Sequence, residues 1–132
     1  MMRVSTLRSL LLAVLPVGLA GCSSKPAAPL TAGGEPVSHW LEEAKKPGAK
    51  SRKKAIRELG HIGKADPAAI PAVIAALKDP DATVRTEAAL SLLNLGPDAA
   101  DAVPALTEAT RDPDIRVRES AEKALVKIKG SP

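Results

Sequence analysis

Acidic and basic residues recur in two nearly identical segments, and they are the first candidates for chemistry. DPDATVR begins at Asp79 and DPDIRVR begins at Asp112, 33 positions later; the segments end at Arg85 and Arg118. A carboxylate could act as a general acid or base, and a guanidinium could stabilise an anion. A catalytic group is needed once, whereas a packing group is needed in every copy of a repeat. The recurrence therefore favours a structural role, and no catalytic residue is predicted.

Few other side chains could bind a metal. His39 and His61 are the two histidines, and Cys22 is the single cysteine. Because a zinc site needs three or four convergent ligands, we expect surface histidines, no metal site and no other cofactor. The sequence also lacks a glycine-rich phosphate loop, a G-x-S-x-G motif and an H-E-x-x-H motif. These observations predict a protein that is not an enzyme.

The N-terminal region has the composition of a secretion signal. Arg3 and Arg8 precede an apolar stretch at residues 10–20, which is much shorter than the roughly 20 residues that span a bilayer. The stretch ends in LAGC, residues 19–22, which resembles the lipobox of bacterial lipoproteins. The resemblance implies cleavage before Cys22 and attachment of diacylglyceryl and fatty acyl groups to that residue. The alternative is a plain signal peptide with a cysteine beside its end.

A lipidated Cys22 would determine where the protein resides. We expect a signal peptide at residues 1–21 and a lipid anchor that holds the protein at the bacterial cell membrane or outer membrane, facing the periplasm. Ser23, which follows the cysteine, favours the outer membrane. Two or three acyl chains provide stable anchoring where one would be marginal.

The mature chain divides into a linker and a repeated region. Proline and glycine without periodicity predict a flexible linker that occupies residues 22–36 together with the lipidated cysteine. Residues 64–96 and 97–129 are identical at 11 of 33 positions, and a fainter copy covers residues 37–63. Repeats of this length predict stacked supersecondary units. The folded domain is therefore expected at residues 37–130.

Each unit contains two helical patterns and almost no aromatic residues. Only 1% of the chain is aromatic, so Ala, Leu, Ile and Val must build the core, which favours an all-α fold. In the second unit, Pro80 ends the first helix and Asp81 is a suitable N-cap for the second. Trp40, the single tryptophan, falls in a core-facing column and is expected to pack there.

The segment AAIPAVIAALKDPDATVRTEAALSLLNLG resembles a HEAT-like repeat of the short phycobilisome-lyase type. The resemblance implies an α-solenoid of three antiparallel helix pairs, with the second helices on the concave side. It also implies that turn aspartates and the following arginines join neighbouring units, which assigns this role to Asp79, Arg85, Asp112 and Arg118. The first unit departs from the pattern at Lys46 and Ser51, where the later units have aspartate and valine.

Two flanking columns predict where the stack ends. One column reads Ile56, Ala89 and Glu122 through the three units, and the other reads Glu58, Ser91 and Ala124. The charged member is last in one column and first in the other, as two solvent-facing ends require. We therefore expect a three-repeat solenoid that is capped by Glu58 and Glu122.

The helix face opposite the packed stripe varies between units, so it is the candidate partner-binding surface. It consists of Lys53, Arg57, His61, Thr86, Leu90, Asn94, Glu119, Lys123 and Lys127. An exposed leucine among polar groups suits a protein or peptide, so we expect a non-catalytic interaction module with an unidentified protein partner. The chain is expected to be a monomer that contacts the membrane through its lipid anchor. A subunit or relative of a chromophore lyase is an alternative.

Charge is distributed unevenly along the chain. Residues 42–64 contain eight basic and three acidic residues, whereas residues 65–132 contain eight basic and eleven acidic residues. The basic region is either a solvated face or a docking surface for anionic lipid or another anionic polymer. No aromatic residues alternate with the lysines, so the stacking platform for nucleic acid is missing and no nucleic acid partner is expected.

Overall fold

The structure is a computed structural model that describes residues 31–32 and 34–130. The predicted signal peptide and Cys22 lie outside the described residues. The helices, in chain order, are α1 (Val37–Glu43), α2 (Ala49–Ile62), α3 (Ile70–Ala75), α4 (Ala82–Leu95), α5 (Val103–Ala109) and α6 (Ile115–Lys129). Short 3-10 segments at Pro67–Ala69, Ala76–Lys78 and Gly96–Ala102 flank α3 and precede α5. The predicted helical fold is confirmed.

The last residues of the predicted flexible linker form a small hairpin. Strand β1 (Thr31–Ala32) pairs antiparallel with β2 (Glu35–Pro36), and Thr31 lies opposite Pro36. Two glycines separate the strands in the sequence, and Gly34 has a φ of 87°, which a side chain would disfavour. Because β1 also contacts α2, the folded unit begins before Val37, the first residue of the predicted domain.

The helices form three pairs that stack side by side. α1 packs on α2, α3 on α4 and α5 on α6, while α4 lies between α2 and α6. The first helices of successive pairs make few contacts with one another, and an open groove lined by Leu41, Ala44, Ala72 and Ala75 separates α1 from α3. The layer of α2, α4 and α6 is therefore the more closely packed one. This is the predicted three-pair solenoid.

The core is built from small aliphatic side chains. The largest fully buried ones are Ile56, Leu59, Val73, Val84, Leu92, Leu106 and Val117. Ala55, Ala88 and Ala121 occupy one column of the repeat and have no exposed surface, which lets each second helix lie close to its partner. Trp40 is 4% exposed and packs at the edge of this core.

Turn chemistry positions the second helices. The Asp81 carboxylate accepts a hydrogen bond from the Thr83 backbone N–H at 2.8 Å, and Asp114 accepts one from the Arg116 N–H at 2.9 Å. Each aspartate thereby satisfies one of the free amides that begin a helix. The Arg116 side chain and this backbone bond lower the pKa of Asp114 to about 2. The cap of α6 thus stays ionised in all but strongly acidic solution.

Candidate functional site

Two bidentate ion pairs join successive units. Arg52 Nε and Nη2 donate to the Asp79 carboxylate at 2.7 and 2.9 Å. Arg85 Nε and Nη2 donate to the Asp112 carboxylate at 2.8 and 3.0 Å. Parallel N–H···O bonds of this kind fix orientation as well as distance. We call this repeated arrangement the ladder.

The third nitrogen of each arginine binds the turn of its own unit. Arg85 Nη1 donates to the backbone carbonyls of Asp79 and Pro80 at 2.8 and 3.1 Å. Arg52 Nη1 binds the two corresponding carbonyls of the first unit at 3.0 and 2.7 Å. One guanidinium therefore holds two turns, its own and that of the following unit.

The ladder changes the acidity of its carboxylates. Burial would raise the pKa of Asp112, but hydrogen bonds from Arg85 and from the Asp114 backbone N–H, together with the Arg85 charge, lower it below the usual value. The same balance lowers the pKa of Asp79, where Arg52 and the Asp81 N–H act. The low pKa values keep both carboxylates ionised, so neither is suited to hold a proton for acid catalysis near neutral pH.

Sequence reasoning missed one ladder residue and assigned another incompletely. Arg52 belongs to the ladder, although it is not among the inter-repeat residues predicted from the sequence. Its alignment with Arg85 and Arg118 in the repeat indicates this role. Arg118 Nη1 binds the Asp112 and Pro113 carbonyls at 2.8 and 3.2 Å. Within the described residues Arg118 forms no ion pair with a following unit. Its role as an inter-repeat residue is therefore limited to bracing its own turn.

The candidate partner-binding surface forms one exposed face across α2, α4 and α6, which we call the open face. Leu90 is 38% exposed at its centre, and His61, Asn94, Glu119, Lys123 and Lys127 are exposed around it. Thr86 is half-buried, and its hydroxyl donates to the Ala82 carbonyl at 2.8 Å. The structure thus places the variable columns of all three units side by side.

Glu87 neutralises the basic end of the open face. Its two carboxylate oxygens each accept a hydrogen bond from Arg57 at 2.9 Å, and Lys53 Nζ lies 4.0 Å away. Glu87 was not among the predicted surface residues, because its column in the repeat contains lysine and serine in the other units and gives no recurring signal. Arg57 and Lys53 are therefore partly committed to an internal partner.

A shallow groove lies beside the open face, along α6 and next to the C-terminal end of α4. It has a volume of about 870 Å³ and is lined by Leu93, Pro97, Glu122, Lys123, Val126 and Lys127. The lining combines apolar carbons with three charged groups, and the groove opens widely to solvent. Such a surface suits an extended side chain of a partner better than an enclosed small molecule.

The remaining candidate residues have packing roles. The His39 and Trp40 ring centroids lie 4.9 Å apart with the rings nearly perpendicular, and Lys54 Nζ lies 5.3 Å from the Trp40 ring centre. A lysine over an indole gains a modest cation–π attraction.

Within the described part of the chain, no group of three or more His, Cys, Asp or Glu side chains could hold a metal ion. Over the same residues, no helix is sufficiently long and apolar to cross a membrane.

Comparison with known proteins places this fold in a family. The sequence profile of HEAT repeats matches residues 37–131, and a search of curated proteins finds no match. Among solved structures with a similar fold is the crystal structure of an engineered protein, with a TM-score of 0.59 and 24% identity. That alignment covers 70% of this chain and 45% of the engineered one, so this chain spans less than half of its length. The chain belongs to the HEAT-repeat family.

Proposed function

We propose that this protein is a membrane-anchored lipoprotein whose solenoid binds another protein or peptide through the open face, without catalysis. The observation that carries the proposal is the exposed Leu90 in the middle of a continuous face that α2, α4 and α6 share. Apart from the contacts of Arg57 and Lys53 with Glu87, this face makes no ion pair between units among the described residues, so most of its residues are free to differ between units. A face that varies over a uniform scaffold supports partner selection.

The chemistry of the open face favours a polypeptide ligand. An apolar centre surrounded by lysine, asparagine and glutamate side chains resembles the general organisation of interfaces, in which a few apolar anchors are enclosed by a polar rim. The neighbouring groove adds Leu93 and Val126 to the apolar area. A partner helix or extended segment could cover both features together.

Site-specific photo-crosslinking tests this surface in cells. A photoreactive residue at Leu90 should yield a discrete adduct of higher mass, whereas the same residue at exposed Thr107 on α5 should not. Leu90→Asp should abolish capture by a second photoreactive residue placed at Asn94. Equal labelling from Leu90 and Thr107 would remove the basis for assigning the partner to the open face.

The anchor requires a separate test at Cys22. Cys22→Ala should move the protein from the membrane fraction to the soluble periplasmic fraction, because the acyl chains would have no attachment site. Metabolic labelling with a fatty acid should mark the wild type but not the variant. A variant that still sediments with membranes would refute the anchor while leaving the open-face proposal intact.

Two alternatives have less support. A chromophore lyase relative would be favoured if the purified protein turned over a substrate. Binding of an anionic polymer or lipid would draw on the basic first unit, but Lys53 and Arg57 contact Glu87, and Lys45 and Lys46 contact acidic side chains on α1. These pairs reduce the charge available to an anionic ligand.

A further inference from the structure

One edge of α6 corresponds to the edges that join the units inside the stack. On α2 and α4 this edge carries Ile56 and Ala89, which are buried against the following unit. On α6 it consists of Ile115, Arg118, Glu122 and Val126, which we call the edge stripe. With 3.6 residues per turn, these four side chains lie within about 80° of one another around the helix axis.

The edge stripe exposes unusually large apolar groups. Ile115 and Val126 are each 58% exposed, and Leu90 on the open face is the third exposed large apolar residue in the described part of the chain. In the second unit the matching positions are Ala82 and Leu93, both partly covered. Branched apolar side chains exposed at both ends of one stripe indicate a surface that another element covers.

Arg118 provides a preorganised carboxylate site in the same stripe. Its Nη1 atom is held by two turn carbonyls, as in Arg52 and Arg85. Those two arginines use Nε and Nη2 to bind an aspartate, but no described carboxylate forms an ion pair with Arg118. Residues 1–30 and 131–132 contain no Asp or Glu, so no acidic side chain from those segments can fill the site.

We propose that the edge stripe pairs with the same stripe of a second copy of this chain, antiparallel about a twofold axis that crosses the stripe midway between Arg118 and Glu122. In this arrangement Arg118 faces Glu122 of the second copy, and Ile115 faces Val126. The twofold axis repeats each contact, so two ion pairs and two apolar contacts form together. A self-complementary stripe of this kind satisfies the geometry of an isologous dimer.

A second copy bound head to tail fits less well. It would present its first unit to Arg118, and that unit carries Lys46 where the later units carry the ladder aspartate. Two cations would then face each other in place of an ion pair. Charge complementarity therefore selects the twofold arrangement, which differs from the monomer expected from the sequence.

The dimer surface contains none of the open-face residues, although it shares Glu122 and Val126 with the neighbouring groove, so this inference goes beyond the proposed partner binding. Exposed ion pairs add little affinity and mainly set the register, whereas burial of Ile115 and Val126 supplies most of the attraction. We expect a weak dimer, with a Kd on the order of tens of micromolar at moderate salt.

Sedimentation equilibrium of the full chain in a density-matched detergent measures the dimer Kd. Comparing the wild type with charge-reversal variants of the edge stripe tests the proposal. Arg118→Glu and Glu122→Arg should each raise the dimer Kd by at least about tenfold, because like charges then face each other. A mixture of the two single variants should form a heterodimer, since every facing pair becomes opposite in charge. The double variant, Arg118→Glu with Glu122→Arg, should return to within about threefold of the wild-type Kd.

Asp101→Arg is the matched control, because it reverses an exposed charge outside the edge stripe. It should leave the dimer unchanged. A wild type that stays monomeric over the whole concentration range would overturn the proposal. A dimer insensitive to both reversals, or single variants that fold but fail to associate with each other, would overturn it equally. Glu122→Arg leaves the turn contacts of Arg118 in place, so its result does not depend on the stability of that turn.

Discussion

At the scale of single residues, Arg85 shows how one side chain can serve two units. Its Nη1 atom binds its own turn, while Nε and Nη2 bind Asp112 of the following unit. The Asp112 carboxylate also accepts the Asp114 backbone N–H at 2.9 Å. Asp112 therefore orders its own turn and fixes that turn to the preceding unit.

Removing Asp112 should destabilise the domain measurably. Asp112→Ala eliminates the charge-assisted hydrogen bonds to a mostly covered side chain, and we expect a loss of about 2 kcal/mol in the free energy of unfolding. For a domain of this size, the melting temperature should fall by roughly 10 °C. Thermal unfolding followed by circular dichroism measures the loss. Asp101→Ala, which removes an exposed carboxylate of the same unit, should have almost no effect.

The ladder should also make stability depend on pH. The pKa values of Asp79 and Asp112 are lowered in the folded state, so the unfolded chain takes up protons first as the pH falls. Their contribution is therefore complete above the ordinary aspartate pKa of about 4 and is lost as the pH falls below it.

Urea unfolding of the wild type and of the double variant Asp79→Asn, Asp112→Asn checks this prediction. The difference in unfolding free energy should be constant from about pH 7 to pH 5 and should shrink below about pH 4. A difference that stays constant down to pH 3 would contradict a role for the ionised carboxylates.

At the scale of elements, the distance between α2 and α4 depends on Gly60. A Cβ atom at this position would lie 2.6 Å from Ser91 Cβ and 2.7 Å from Ser91 Oγ, which is far inside normal contact. Ser91 itself is buried, and its hydroxyl lies 3.5 Å from the Ile56 carbonyl oxygen. The two helices thus approach closely because one contributes no side chain and the other a small one.

Gly60→Ala should therefore destabilise the stack although alanine favours helices. Overpacking should cost about 2 kcal/mol, which exceeds the roughly 1 kcal/mol that alanine contributes to helix formation. Adding Ser91→Gly should recover part of the melting temperature by removing the clashing atoms. Gly48→Ala is the control, since the new Cβ atom would meet only Ser51 Oγ at 3.8 Å. Equal melting temperatures for the Gly60 and Gly48 variants would show that the helices separate without cost.

At the scale of the whole molecule, internal ion pairs offset the uneven distribution of charge. The basic region at residues 42–64 lies in α1, α2 and the segments beside them, while Glu87 on α4 binds two of its cations. The side chain of Glu87 is only 12% exposed, so it acts from between the helices. The positive electrostatic potential that a partner meets at this end is therefore weaker than the number of basic residues suggests.

Removing the Glu87 charge should strengthen attraction to anionic polymers. Glu87→Gln frees Arg57 and Lys53, and each basic group near an anionic surface contributes about 1 kcal/mol, so affinity should rise by up to about thirtyfold. Retention of the full chain on a polyanionic resin, in neutral detergent and at low salt, measures the change. Glu119→Gln changes the net charge equally in the third unit and should shift retention much less. Equal shifts would show that net charge, and not local pairing, governs binding.

What the sequence predicted depended on recurrence. Asp79, Arg85, Asp112 and Arg118 stand out because the same residue types recur 33 positions apart. Recurrence could not show which aspartate each arginine binds. The sequence pattern is the same whether the arginine pairs with the aspartate of its own unit or with that of the following unit. Glu87 was missed for a related reason: a residue that acts in one unit only gives no periodic signal.

The hairpin was missed because two signals compete in the same segment. Proline and glycine around residues 23–36 are typical of a linker, but the two glycines between Ala32 and Glu35 also suit a tight β-turn. Only contact with α2 decides between these structures, and a tertiary contact of that kind has no local pattern.

The ladder has a direction, with the arginine always in the earlier unit and the aspartate in the later one. This direction limits how a gene of this kind could lengthen by tandem duplication. A second copy of residues 64–96 inserted after the first would give every arginine from Arg52 to the new copy an aspartate to bind. A copy inserted ahead of the first unit would instead place its arginine against Lys46. Growth is therefore favoured within and after the second unit, and growth toward the N-terminus would first require Lys46 to mutate to an acidic residue.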